Sequence, residues 1–229
     1  LNAPSGPGPW IMAGMLFRIL GIVLLAALTA LGAESPLPEL KVEAVDGGSV
    51  LHVRNPADQP LVAFLVEMVG YPGSYYAMWR DDPAAPVKPG TELRIPIVNM
   101  TVGAAPEYVK MQAAVYADGS RSGDPAKAGQ LVERRRFVLQ TTRELIQRLE
   151  KALKAGTAKD ALIAELKQWS ESLPPAGRAR RNTQPAINQA AGRESIAEIC
   201  SKIGTASVDT ALAGLRTSEA ALAGSKPAL

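Results

Sequence analysis

From residue 39 onward, apolar and polar side chains change places at nearly every step. Leu40, Val42 and Ala44 alternate with Lys41 and Glu43, the period of two that turns one strand face to a core and the other to water. Asp46, Gly47 and Gly48 offer a tight turn, and 50–54 a second strand. The segment NPADQP at 55–60 supplies another turn, because proline fixes φ while Asn and Asp bond to nearby backbone. The run LVAFLVEMV at 61–69 is long and apolar; flanking Pro60 and Pro72 and its β-branched residues favour a central strand over a helix. Further strands are predicted over 75–79, 92–98 and 109–116, with Pro96 marking an edge or bulge position.

At Asp124 and Pro125 the period changes. Asp is a good cap for free N–H groups, and proline is tolerated in the first turn. Leu131, Val132, Val138, Leu139, Leu145, Ile146, Leu149 and Leu153 then recur at helical spacing up to Gly156, a residue suited to a left-handed stop. A second helix runs through Ala161, Leu162, Leu166, Trp169 and Leu173 and ends before Pro174 and Pro175. Residues 177–181, GRARR, read as a basic linker. Helices are expected over 195–203 and 208–223, but Ala dominates their apolar faces and buries little area, which predicts loose packing. The fold class predicted is α+β: an N-terminal signal helix, a small antiparallel sandwich of immunoglobulin-like architecture, then C-terminal helices. In domains this gives an extension or misassigned start over 1–14, a signal peptide over 15–33, a sandwich over 39–124, a helical region over 125–173, and a linker with a weakly packed helical tail over 174–229.

Arg18 followed by the uncharged run 19–33 is a secretory signal pattern, and Ala30 and Gly32 at −3 and −1 place cleavage after Gly32. No cysteine follows the run, which argues against a lipid anchor. Counted back to Ile11, the apolar stretch 11–31 could instead stay as an uncleaved anchor. The Pro- and Gly-containing 1–14 suits an unstructured extension, with Met12 or Met15 as the natural start. The expected location is periplasmic or secreted, or membrane-anchored and facing the periplasm.

Composition narrows the chemistry. Aromatics make up 5% of the 229 residues, few for a sugar cleft or a base-stacking platform. One histidine, His52, and one cysteine, Cys200, cannot supply a zinc site or a disulfide within the chain. The net charge of +3 is unevenly spread: 34–124 holds seven Lys/Arg against twelve Asp/Glu, and 125–229 holds seventeen against ten. Such a division fits two solvated modules, mutual attraction of the halves, or an anionic partner for the back.

The sharpest chemical hint is ADGSRSGDP at 117–125. Asp118, Ser120, Ser122 and Gly123 match the first half of a calcium loop, with Asp124 nearby, but Gly129 stands where a bidentate Glu belongs. A turn followed by a helix cap is the favoured reading, and no metal or other cofactor is assigned. Arg134, Arg135 and Arg136 point in three directions on a helix, whereas Arg136 and Arg143 share a side. That side, and the aromatic group Tyr71, Tyr75, Tyr76 and Trp79, are the candidate contact surfaces. His52 and Cys200 read as structural; Asp81 and Asp82 would point to opposite faces on a strand, or face water on a turn, and make no catalytic pair. With one histidine no Ser/His/Asp set is convincing, and no G-x-S-x-G occurs, so no catalytic residue is assigned.

VRNPADQPLVA at 53–63 resembles the strand–turn–strand of bacterial exported proteins with immunoglobulin-like domains. AAVYADGS at 113–120, followed by Gly123, Asp124 and a basic helix, is similar to uncharacterised secreted bacterial proteins. The likeness covers about half the chain and implies an exported sandwich, with no catalytic residue to carry over. The expectation is a non-enzymatic binding or structural component of the cell envelope, with an unidentified protein partner and no nucleic acid. The alternative is a membrane-anchored accessory subunit with an uncleaved N-terminal helix and a partner-binding helical region.

Overall fold

The computed structural model describes residues 35–71, 74–98, 106, 108–173 and 183–228. The chain divides into two units, 1–35 and 36–229, and every element below belongs to the second. The predicted signal segment and the basic linker at 177–181 lie outside the described residues.

Two antiparallel sheets form first. One has the order β1–β2–β5, from β1 (Glu39–Val45), β2 (Gly48–Arg54) and β5 (Glu92–Val98). The other has the order β4–β3–β6–β7, from β3 (Leu61–Tyr71), β4 (Ser74–Asp81), β6 (Tyr108–Tyr116) and β7 (Arg121–Gly123). Pro96 lies opposite Val50 on β5, an edge strand among the described residues, the kind of strand where proline is tolerated. The turn after β2 is held by Asn55, whose Nδ2 donates to the Gln59 and Val87 carbonyls at 2.8 and 3.0 Å.

The apolar run at the start of β3 is explained by burial on both faces. Phe64, Val66 and Met68 meet Leu51 and Val53 of the facing sheet. Leu65 and Ala63, with Ala113 and Val115 of β6, lie instead under Ala128, Leu131 and Val132 of helix α1 (Pro125–Ala155). At 31 residues α1 is about 46 Å long. Its first half therefore covers the sheet, while Leu145 and Leu149 reach a second core beyond it.

That second core is built with α2 (Lys159–Ser172), α3 (Gln184–Thr205) and α4 (Val208–Ala223), through Leu162, Leu166, Ile196, Ile203 and Leu212. Two expectations are corrected here. The 174–229 segment is not weakly packed where described: Ile196 and Ile203 are fully buried, and α3 starts at Gln184, eleven residues before the predicted start. Pro185 in its first turn and buried Ala186, Ile187, Ala191 and Gly192 explain the length, because small residues let α3 approach its neighbours closely. Residues 121–123, expected in a turn, form strand β7 on the edge of the larger sheet. No described helix is long and apolar enough to cross a membrane.

Candidate functional site

The calcium-like loop uses its oxygens on the backbone. Asp118 Oδ1 accepts from the Ser120 N–H at 2.9 Å and from its hydroxyl at 2.7 Å, a local turn that holds the Asp118 pKa below the usual carboxylate range. Ser122 is buried on β7, and its hydroxyl lies 3.4 Å from that of Tyr116. Asp124 Oδ1 accepts from the N–H groups of Ala126 and Lys127 at 2.8 and 3.2 Å, capping α1. The four side chains do not converge on one point. Among the described residues no group of three or more His, Cys, Asp or Glu side chains is placed to hold a metal.

The proposed arginine surface is also committed elsewhere. Arg136 pairs with Glu133 on its own helix, and Arg143 Nε donates to Glu219 of α4 at 2.8 Å. Tyr71 and Tyr75 are placed in β3 and β4, but their side chains lie outside the description. Tyr76 is exposed, whereas Trp79 packs against the core under α1. His52 sits between the edge strands of the smaller sheet, with Nδ1 2.6 Å from Glu92 Oε1 and Nε2 2.9 Å from Glu43 Oε2. The ring donates to both only as an imidazolium. Cys200 is a buried, free thiol whose pKa is pushed up by that burial.

The residues that organise a concave site, Arg135 and Asp81, were not among the candidate site residues. Arg135 is in phase with Leu131 and Leu139 on the buried stripe of α1, and 1% of its side chain is exposed; for Asp81 the figure is 3%. Arg135 Nε donates to both Asp81 oxygens at 3.0 Å, and Nη2 donates to Oδ1 at 2.8 Å. Its remaining nitrogen, Nη1, donates to the Ser225 hydroxyl at 3.2 Å and the Lys226 carbonyl at 2.9 Å. A planar fork of donors suits such bidentate pairing, and a lysine could not reproduce it. One side chain thus ties β4, α1 and the segment after α4 together. Burial pushes the Asp81 pKa up, against the pull of Arg135.

This clamp lies at the foot of a cleft of about 390 Å³ bordered by β4, α1, α3 and α4. Its floor includes Trp79, Val138, Leu215 and Leu222. Its charges pair with one another: Arg80 Nη2 donates to Asp82 at 3.1 Å, Arg134 Nη2 to Glu194 at 3.2 Å, and Lys202 Nζ lies 2.6 Å from Glu198. A second cavity of about 310 Å³ adjoins it and shares Trp79, Arg134, Ala191 and Glu194. The Ser195 hydroxyl there donates to the Ala191 carbonyl at 3.0 Å. The arrangement is a preformed groove with a polar rim, suited to binding. Comparison of the chain with protein-family models, with curated proteins and with solved structures finds no match.

Proposed function

We propose that this chain is an exported, non-enzymatic component of the bacterial cell envelope, and that its task is binding. The observation that carries this reading is the cleft beside β4: walls from four elements are clamped by a buried ion pair, while the cleft's charged groups neutralise each other. Catalysis would need those groups turned on a shared reacting atom. Export is supported by Arg18 and the uncharged run to residue 33, with cleavage after Gly32. An immunoglobulin-like sandwich is supported by two antiparallel sheets sharing the core of Leu51, Val53, Phe64 and Tyr116.

Expression in a bacterial host, followed by fractionation and N-terminal sequencing, tests the reading. A periplasmic or secreted product starting at Ala33 is expected, without turnover of ester, glycoside or peptide substrates. Activity that one point substitution removes would overturn the non-enzymatic assignment. A membrane-bound product retaining 11–31 would favour the anchored accessory subunit instead.

A further inference from the structure

Among the described residues β4 ends the larger sheet, with β3 as its one strand neighbour. Among the described residues, no backbone hydrogen bond reaches its outer edge from another element. Natural edges are blunted by charge, proline or bulges. Residues 74–79, SYYAMW, carry no charge and no proline, and charge enters β4 only at its end, in Arg80 and Asp81.

The two adjoining cavities lie between β4 and α3: the smaller meets the strand at Ala77 and Trp79, and the larger from Trp79 past its end to Ala84. Trp79 and Asp81 face the helices while Met78 faces the opposite core and Arg80 shares its side of the strand, yet Trp79, Arg80 and Asp81 all border the larger cavity. Side chains of both faces meet a common space where the strand is open at its side or end. The far wall is α3. Ala186 and Ala190 border the smaller cavity together with Ala77, and Ser195 and Glu198 border the larger one together with Asp82. Strand and helix therefore lie side by side in the same direction, with short side chains on the helix.

Between the cavities stands Arg134. Its side chain is 12% exposed, while its partner Glu194 is 72% exposed. The bond to Glu194 uses Nη2 alone and its carboxylate is mostly solvated, so a carboxylate entering the groove could take that place or bond to another guanidinium nitrogen.

We propose that this groove takes an extended polypeptide segment of another protein, which adds to β4 as a fifth strand and places an acidic side chain on Arg134. Outer-edge backbone groups of β4, to which no other described element bonds, supply ladder hydrogen bonds, the short α3 side chains leave room for alternate side chains, and Arg134 selects for charge. The inference rests on the binding function above and names its partner.

The test uses the full chain as recovered from the expressing host and a displayed library of random short peptides. Selected peptides should share an acidic residue within an alternating extended pattern, and their binding should slow hydrogen exchange at amides of β4. Ala190 is exposed on the groove wall, so Ala190→Trp should abolish binding without changing the melting temperature. Arg134→Gln should weaken the acidic peptide about tenfold but leave its Glu→Gln or Asp→Asn counterpart unchanged. The proposal is overturned if no peptide is enriched, if enriched peptides bind Ala190→Trp equally well, or if the chain itself dimerises through β4 and Ala190→Trp abolishes that dimer. Loss of peptide binding alone leaves the envelope-binding reading standing; turnover of a substrate overturns that reading separately.

Discussion

Arg135 and Asp81 are where single residues matter most. An ion pair this deep costs desolvation on both sides, and removing one partner strands the other. Asp81→Ala is therefore expected to lower stability by about 3–5 kcal/mol, read from urea unfolding. The double variant Asp81→Leu with Arg135→Met should recover most of that loss, because apolar groups of similar volume replace buried pairs at little cost. Equal losses in the single and double variants would show that packing around the pair matters more than charge. For Asp81 the sequence left strand and turn open, and nothing local to it announces a partner 54 residues away. Arg135 was legible in principle: it lies four residues from Leu131 and from Leu139, on the stripe that any amphipathic helix buries. The three arginines were assigned three directions, but the direction of the middle one was not matched to the phase of Leu131 and Leu139.

Within the smaller sheet, Glu92 of β5 and His52 of β2 join two strands, and the hydrogen bond from His52 holds the Glu92 pKa below the usual carboxylate range. A carboxyl lowered in the folded state contributes stability above its unfolded pKa and loses it as pH falls through the folded value. Glu92→Gln is thus expected to cost stability near neutral pH and to cost progressively less under acid. Melting curves of both proteins across that range check it, and a pH-independent difference would assign Glu92 a purely steric role. Among the helices, the close approach of α3 to α1 depends on Gly192. A Cβ there would lie 3.0 Å from Phe137 Cε1 and 3.3 Å from Leu173 Cδ1. Gly192→Val should destabilise by about 1–3 kcal/mol, and Phe137→Leu in the same chain should restore part of it. The ends of α1 were legible because Asp124 and Gly156 are strong local signals. The first half of α3 was not, since residues such as Ala186 and Gly192 bury a face through closeness rather than bulk.

Across the whole of 36–229, α1 belongs to two cores at once: Leu131 and Val132 lie on the sheet, and Leu145 and Leu149 lie among the helices. The acidic and basic halves also meet along it, through Lys127 with Glu67 at 3.5 Å and Arg135 with Asp81. The change of period at Asp124 therefore separates kinds of element rather than independently stable pieces, a distinction that periodicity alone does not express. Cutting there would bare Ala63, Leu65, Ala113 and Val115, four fully buried side chains on one sheet face. Such an apolar patch is an aggregation liability. A fragment of 36–124 is accordingly expected to associate or to bind a hydrophobic dye, and to lack a cooperative melt. In the full chain, helix loss seen by far-ultraviolet circular dichroism should coincide with the fluorescence change of Trp79, isolated by Trp10→Phe and Trp169→Phe. Coincident transitions are the mark of one cooperative unit. Two separated midpoints, or a soluble monomeric 36–124 with its own sharp transition, would mean that α1 rests on the sheet without stabilising it, and the groove beside β4 would then have lost its fixed wall.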